Sequence, residues 1–223
     1  MRVSTIVAVY NGADRLGAAL DSILAQDLAP FEIIVVDDGS TDTTPDVIRS
    51  YGKAVRAFHQ PNAGLSAAHN HGLREASGDA IAFLDHDDLW PPNRLSAMAR
   101  LMQSDEGIDI VAGQVQIVVE GAAMTATPER YATTHRPWSV QSLLVRRHVF
   151  DRVGLFDLQL KYGMDIDWYM RAREAAIRYE FVPEISLIWR MHSSNMTRDL
   201  PAMFGGTLTA FKGAIDRRRR KSP

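Results

Sequence analysis

Apolar runs and helical stripes alternate along the first hundred residues. Val3–Tyr10 is a β-branched run closed by the turn dipeptide Asn11-Gly12, which predicts a strand. Over Asp14–Leu28, Leu16, Leu20, Leu24 and Leu28 recur four apart with Ala19 and Ile23 beside them, one face of a helix. Pro30 ends it, and Phe31–Val36 predicts a second strand. Thr44 as N-cap, Pro45 at the first helical position and Gly52 as terminator frame a helix that turns Val47, Ile48 and Tyr51 inward. Val55–Phe58 predicts a third strand. Leu65–Ser77 predicts a helix with Leu65, Ala68, Leu73 and Ala76 inward, closed by Gly78. Ala80–Leu84 is short and wholly apolar, the mark of a strand buried on both faces. A helix over Pro92–Gln103 follows, through Leu95, Met98 and Met102. Strict βα alternation predicts an α/β fold with a mainly parallel central sheet and helices on both faces.

After Gly107 the texture changes. Ile108–Ala112 and Gln114–Val119 read as two strands, Gly121–Pro137 as a mobile loop and Ser142–Val145 as a short strand. Helices are predicted over Arg146–Val153 and Asp165–Ala176, and edge strands over Tyr179–Val182 and Ser186–Arg190. The first half reads as a nucleotide-binding scaffold and the second as the part that receives a substrate. The expected organisation is one domain over residues 1–199, divided at about residue 110, and a C-terminal helix and basic tail over 200–223.

Composition narrows the possibilities. A chain of 223 residues with 46% apolar positions can bury a core without covalent staples. With no cysteine, disulfides and thiolate metal sites are excluded. The N-terminal apolar run is too short and too β-branched for a signal peptide, and nothing approaches the ~20 apolar residues of a membrane span; a cytoplasmic protein is expected. Net charge is −2, but five of the positive charges sit together in Arg217–Lys221. The body is therefore clearly acidic, which argues against nucleic acid as a partner of the main surface. The basic run follows a helical stripe of Leu200, Met203, Phe204, Leu208, Phe211 and Ile215. It fits either reversible contact with an anionic membrane face or a solvated end.

The densest chemistry is Asp85-His86-Asp87-Asp88, three carboxylates and an imidazole at a predicted strand end. Ligands of open α/β sheets collect there, and a hard divalent cation would relieve the repulsion. The other reading is an acidic turn before a helix, since Pro91-Pro92 follows. Asp37-Asp38-Gly39-Ser40 ends the second strand; a carboxylate there either accepts a hydrogen bond from a uracil imide N–H or caps the turn. Neither Gly-x-Gly-x-x-Gly nor a P-loop is present, so bound phosphates would be held by side chains and a metal. Trp138 and Trp168 are candidates for stacking on sugar rings or for the core. His59, His71, His135 and His148 are read as surface or packing residues, and His86 is kept out of the metal shell.

Thr5–Asn11, then Val35–Asp42, then Asn62-x-Gly64-x-x-x-Ala68-x-Asn70-x-Gly72, then Phe83-Leu84-Asp85-x-Asp87-Asp88 resemble, in order and spacing, the motifs of family 2 glycosyltransferases. The likeness continues through Arg147-x-x-Phe150-x-x-Val153-Gly154-x-Phe156-Asp157, Gly163-Met164-Asp165-Ile166-Asp167-Trp168 and Arg190-x-His192 with Asn195 and Thr197. The resemblance implies the nucleotide-diphosphosugar transferase (A-type) fold and an inverting, metal-dependent, hexosyltransferase-like enzyme using Mn²⁺ or Mg²⁺. It implies a nucleotide-sugar donor, UDP-sugar favoured, and a glycan or lipid-linked acceptor in surface or cell-wall polysaccharide or lipid-linked glycan synthesis, at or near the inner membrane face.

Carried over residue by residue, Asp87 becomes the principal metal ligand, with Asp85 and His192. Val9, Asn11, Asp37, Asp38, Asn62, Gly64, Asn70, Asp85, Arg190 and His192 become the nucleotide-sugar contacts, Asp38 reading the base. Asp165 becomes the general base, placed to point out of a helix whose inward face is Ile166, Tyr169 and Met170. Two departures stand out: His69 replaces the family's frequent Arg, and Met164 its usual Glu. The alternatives are a sugar-nucleotide nucleotidyltransferase and a catalytically degenerate sugar-nucleotide-binding module.

Overall fold

A computed structural model describes residues 1–119, 133–135, 139–196 and 199–221. The first half alternates β1 (Val3–Val9), α1 (Leu16–Leu24), β2 (Glu32–Asp37), α2 (Thr44–Ser50), β3 (Arg56–His59), α3 (Leu65–Glu75), β4 (Ala80–Asp85) and α4 (Arg94–Ser104). The second half adds β5 (Ile110–Val119), β6 (Thr133–His135), β7 (Leu143–Arg146), α5 (His148–Val153), α6 (Met164–Glu174), β8 (Tyr179–Met191) and α7 (Leu200–Lys221). One eight-stranded sheet runs in the order β3-β2-β1-β4-β7-β5-β6, with β8 along the free side of β5. Strands β3, β2, β1 and β4 are parallel to one another, as is β8 to β5, whereas β7 and β6 pair antiparallel.

Period-two alternation divides the core between the two faces of the sheet. Val3, Val7, Ile33, Val35, Ala82 and Leu84 meet Leu16, Leu20 and Ile23 of α1 and Leu95, Met98 and Met102 of α4. Ile6, Ala8, Ile34, Ile81 and Phe83 meet Ala68 and Leu73 of α3, Phe150 of α5 and Trp168 and Ala172 of α6. The expected α/β architecture with helices on both faces is therefore present.

Three expectations in the second half need correcting. The two strands read either side of Gly113 are one, β5, and the two edge segments are likewise one, β8. Gly113 is not a break. A Cβ there would lie 2.5 Å from the Ser186 Cβ, so glycine lets β8 run close while the ladder passes from Ala112–Phe181 to Gln114–Ile185. The extra residues of β8 at that shift include Pro183, which has no N–H to donate and is tolerated on an edge. Within the segment read as a loop, Thr133–His135 forms β6 on β5; the rest of Gly121–Pro137 lies outside the described residues.

The C-terminal segment is a helix continuous to Lys221 and fastened to α6. Ala210 and Ala214 are buried, and Gly206 lies where a Cβ would stand 2.5 Å from the Tyr162 carbonyl oxygen. The Arg217 guanidinium donates from Nη1 to Asp167 Oδ1 (2.9 Å) and from Nε to Glu174 Oε2 (3.0 Å). Arg217 is thus part of the fold rather than of a free basic run. Among the described residues no helix is long and apolar enough to cross a membrane.

Candidate active site

Strand β1 lies between β2 and β4, so the chain runs outward from β1 through β2 and β3 and then returns to its other side. That reversal opens a crevice at the carboxyl ends of β1 and β4, where ligands of such sheets bind. Three loops meet there. Asn11, at φ +49, accepts on Oδ1 from the Thr41 N–H (2.7 Å) and donates its own N–H to Ser40 Oγ (2.9 Å). The Val9 carbonyl accepts from the Asp38 N–H (2.8 Å). The turn after β1 and the turn after β2 are thereby zipped together.

Asp37 Oδ1 accepts from the Ser40 N–H, and its Oδ2 lies 3.1 Å from His59 Nδ1. Asp38 is buried. Its Oδ1 accepts from Gln60 Nε2 (2.7 Å) and the Ala63 N–H (2.9 Å), while Oδ2, among the described residues, accepts from the Gly64 N–H alone (2.8 Å). A carboxylate oxygen has two acceptor positions, so Oδ2 keeps one for a ligand. Asn62 and Gly64 are exposed on the loop before α3, and Gly64 turns the chain at φ +89.

Asn70 departs from expectation. It is buried, donates from Nδ2 to the Phe156 carbonyl (2.8 Å) and accepts the Phe156 N–H on Oδ1 (2.9 Å). Its amide clamps the two halves of the domain, and the residue lines a cavity with Gln60, Asn62 and Leu158.

The acidic strand end is completed from the far end of the chain. Leu89 and Ile188 exchange backbone hydrogen bonds of 3.1 and 2.9 Å, which bring the end of β8 beside Asp85–Asp88. The Arg190 N–H donates to Asp88 Oδ1 (2.9 Å), and the Arg190 Nε donates to the Asp87 carbonyl. His192 Nε2 lies 3.0 Å from Asp87 Oδ2, to which Asn195 Nδ2 also donates (3.3 Å). Asp85 Oδ2 accepts from Gln141 Nε2 (2.7 Å), whereas its Oδ1 is buried with no hydrogen-bond partner among the described residues. Asp85, Asp87 and Asp88 each offer an oxygen, all within 4.8 Å of one another.

Burial, then the Asp87 charge, pushes the Asp85 carboxyl up to about 8; Asp165 adds to the push and the Gln141 hydrogen bond opposes it. Asp88 is raised well above the carboxylate range by burial and by Asp87 and Asp85. Three carboxylates so placed hold their charge together only beside a cation. Hard carboxylate oxygens, with an Asp85 oxygen left over, fit a divalent ion such as Mn²⁺ or Mg²⁺; His192, expected as a ligand, rests against Asp87 and is not one of the three clustered groups.

Asp165 stands in the first turn of α6, after Gly163 at φ +75, and its charge reaches Asp85. The inward face of α6 is not Ile166, Tyr169 and Met170 but Met164, Asp167, Trp168 and Ala172. Met164 therefore belongs to the core. Asp167 is buried between Arg171 (2.8 Å) and Arg217 (2.9 Å). Trp168 is core as well: it is fully buried, stacks on Phe150 at 5.0 Å and donates from Nε1 to the Gly154 carbonyl (3.0 Å). Trp138 lies outside the described residues, as does Thr197.

His69 is fully buried between Phe83 (4.8 Å between ring centroids) and Phe156 (5.7 Å). Neither ring nitrogen has a hydrogen-bond partner among the described residues, and burial lowers its pKa to about 3. It is a neutral ring with Nε2 3.8 Å from Asp85 Oδ1.

Sequence reasoning missed Gln141, the partner of Asp85. It sits in a 3-10 turn (Val140–Ser142) held by the buried Arg94, whose Nη2 donates to the Gln141 and Leu143 carbonyls (3.1 and 2.7 Å). No local motif marks either residue. The sequence reading takes Asp87, Asp85 and His192 as ligands; the cluster in the structure is Asp85, Asp87 and Asp88.

Residues 4–177 match the family model described as glycosyl transferase family 2. An uncharacterized glycosyltransferase of Rickettsia typhi is 31% identical over 210 residues, 87% of this chain and 65% of the relative. The uncharacterized glycosyltransferase EpsJ of Bacillus subtilis is 31% identical over 215 residues, 87% of this chain and 62% of the relative. The chain thus spans somewhat less than two thirds of these relatives. Among solved structures, S. aureus TarS 1-349 in complex with UDP-GlcNAc superposes with TM-score 0.74 at 21% identity, over 89% of this chain and 61% of that one. The mannosyltransferase PcManGT from Pyrobaculum calidifontis, in complex with GDP-Man and Mn²⁺, gives 0.73 at 22%, over 96% and 64%. The fold is shared with both.

Proposed function

The chain belongs to glycosyl transferase family 2, and on that footing we propose that it is an inverting glycosyltransferase that moves a sugar from a nucleoside-diphosphate donor, a UDP-sugar in preference, to an acceptor hydroxyl. The observation that carries this reading is the convergence of Asp85, Asp87, Asp88, Arg190 and His192 beyond β4, with Asp165 across from them on α6. Donors bound by relatives of the same fold include UDP-GlcNAc and GDP-Man.

On this reading Val9, Asn11, Asp37, Asn62 and Gly64 line the nucleotide site, and Asp38 Oδ2 accepts the base N–H with its remaining lone pair. Asp87, Asp85 and Asp88 would hold Mn²⁺ or Mg²⁺, which supplies positive charge for the departing diphosphate. Arg190 brings a permanent cation to the same place; its Nη2 is buried with no hydrogen-bond partner among the described residues and can turn to a phosphate oxygen. Asp165 takes the proton of the acceptor hydroxyl as that oxygen bonds to C1 from the face opposite the diphosphate. The C1–O bond to the diphosphate breaks with its electron pair on the leaving oxygen, and the anomeric centre inverts.

The acceptor is a glycan or lipid-linked hydroxyl reached at the cytoplasmic face of a membrane. A coupled assay for released nucleoside diphosphate tests the reading: release that rises with acceptor supports it. Release of pyrophosphate from a nucleoside triphosphate and a sugar phosphate would show a nucleotidyltransferase instead. Donor binding with no turnover for any acceptor would show a binding module.

A further inference from the structure

Helix α7 presents two different faces. Its inner face, Ala210, Ala214 and Arg217, is fixed to α6. Its outer face carries Leu200, Phe204, Leu208, Phe211 and Ile215, which are 52, 60, 68, 43 and 51% exposed. Their spacing of four, four, three and four places them in one stripe, about 22 Å long at 1.5 Å per residue. Lys212, Arg218, Arg219 and Arg220 are exposed on the same helix, and Asp216 is the one acid between Leu200 and Lys221.

We infer that the outer face of α7 is a seat for an anionic phospholipid surface, with the apolar stripe entering the headgroup–acyl boundary and the basic residues lying against lipid phosphates. An apolar stripe beside clustered Lys and Arg is the pattern of a helix that lies in a membrane interface. The charge selects this occupant: a concentration of cations with a single carboxylate complements a continuous anionic plane. The helix is a rigid member of the fold, because Gly206 packs on the Tyr162 backbone and the backbone of Gly206 and Thr207 packs against Gly163. Gly163 caps the helix that carries Asp165, so seating α7 fixes the level of Asp165 above the surface. Resting on the glycosyltransferase reading, this favours an acceptor hydroxyl carried on a lipid.

Co-sedimentation of the full chain with phosphatidylcholine vesicles, with and without phosphatidylglycerol, tests the seat. Binding is expected only with phosphatidylglycerol and is reversed by high salt. Lys212→Gln with Arg219→Gln, the exposed cations flanking the stripe, weakens it by about 30-fold, at roughly fivefold per basic residue near such a surface. Phe204→Ser and Leu208→Ser each weaken it by at least about tenfold; all four positions are solvent-facing, and unchanged melting temperatures confirm that the variants fold.

The inference is overturned if phosphatidylglycerol vesicles do not sediment the protein, or if the stripe variants bind as well as wild type. It is also overturned if sedimentation velocity shows stripe-dependent self-association without vesicle binding, which would make a second copy the occupant. Calorimetry with UDP in the absence of vesicles, together with the coupled release assay, separates the two readings. UDP binding without vesicle binding removes only the seat, whereas vesicle binding without acceptor-dependent release of a nucleoside diphosphate from any nucleotide sugar removes only the glycosyltransferase reading.

Discussion

Asp165 and Asp167 stand two residues apart in the first turn of α6, and the structure assigns them opposite fates under the same substitution. Asp165→Asn removes a half-buried carboxylate that accepts from the Ile166 N–H at 2.9 Å. The asparagine oxygen can still accept that bond. Losing a negative charge at a helix N-terminus costs about 0.3–1 kcal/mol of stability. Transfer should fall roughly 10²–10⁴-fold if Asp165 is the general base.

Asp167→Asn does the reverse. Its carboxylate is buried and accepts from Arg171 Nε (2.8 Å) and Arg217 Nη1 (2.9 Å). Neutralising it weakens two charge-assisted bonds in a buried network. Glu174 still answers Arg217, which limits the loss to about 2–3 kcal/mol. For a domain of this size that is a melting-temperature drop of about 4–12 °C.

Differential scanning fluorimetry reads the second quantity. The first is read by single-turnover release of nucleoside diphosphate at saturating donor, with water standing in for the acceptor. Wild-type melting with lost turnover for Asp165→Asn, and lowered melting with retained turnover for Asp167→Asn, is the expected pattern. If Asp165→Asn turns over within a few-fold of wild type, Asp165 is not the base. If Asp167→Asn melts like wild type, the Arg171–Asp167–Arg217 network holds no stability.

Removing divalent metal with EDTA should weaken UDP binding in calorimetry and abolish transfer, and Mn²⁺ should restore both; equal affinity in chelator would remove the metal from the mechanism. Asp38→Asn should weaken UDP binding by about 1–3 kcal/mol, and unchanged affinity would leave Asp38 as the turn's cap. Glu32 gives a pH signature away from the site: burial works against its charge, but hydrogen bonds from the Ser4 hydroxyl, the Ser77 N–H, Arg56 and the Ser77 hydroxyl outweigh it and lower its pKa to about 2. A lowered carboxyl stabilises the fold above the unfolded-state value of about 4.5 and loses that contribution as pH falls toward 2. Urea titrations of Glu32→Gln should accordingly show a flatter decline than wild type across that acid range, and parallel curves would contradict the assignment.

The legible parts of this molecule are those fixed by neighbours in sequence. The apolar run Ala80–Leu84 followed by acids marks both a buried strand and what lies at its end, because a parallel strand buries both faces and ends where its polar residues begin. The turns after β1 and β2 were legible for the same reason. The illegible parts depend on pairings across the fold. Gly113 reads as a break, since glycine weakens an isolated strand, yet it is the absence of a Cβ that admits Ser186. The inward face of α6 was misassigned because its polar Asp167 is the buried residue, and what makes it tolerable, Arg217, lies fifty positions away. Asn70 resembles a ligand contact by motif, but its partner is the Phe156 backbone, 86 positions on.

These distant pairings share a direction, and that direction explains how a sheet can carry so acidic an end. The first half supplies Asp85, Asp87 and Asp88, and the second half supplies what restrains them. Gln141 donates to Asp85, the Arg190 N–H to Asp88, and Asn195 to Asp87, with His192 beside it. Arg94 runs the other way, reaching from the start of α4 to the carbonyls of Gln141, Leu143 and Ser186, so the restraining turn is itself held from the donor side. Burial beneath the second half raises the Asp85 and Asp88 carboxyls, while the donors that half brings restrain them. The acidic site and the packing of the two halves are therefore one structural fact: closing the acceptor half over the cluster supplies its donors and, by burying it, makes its full charge depend on a cation.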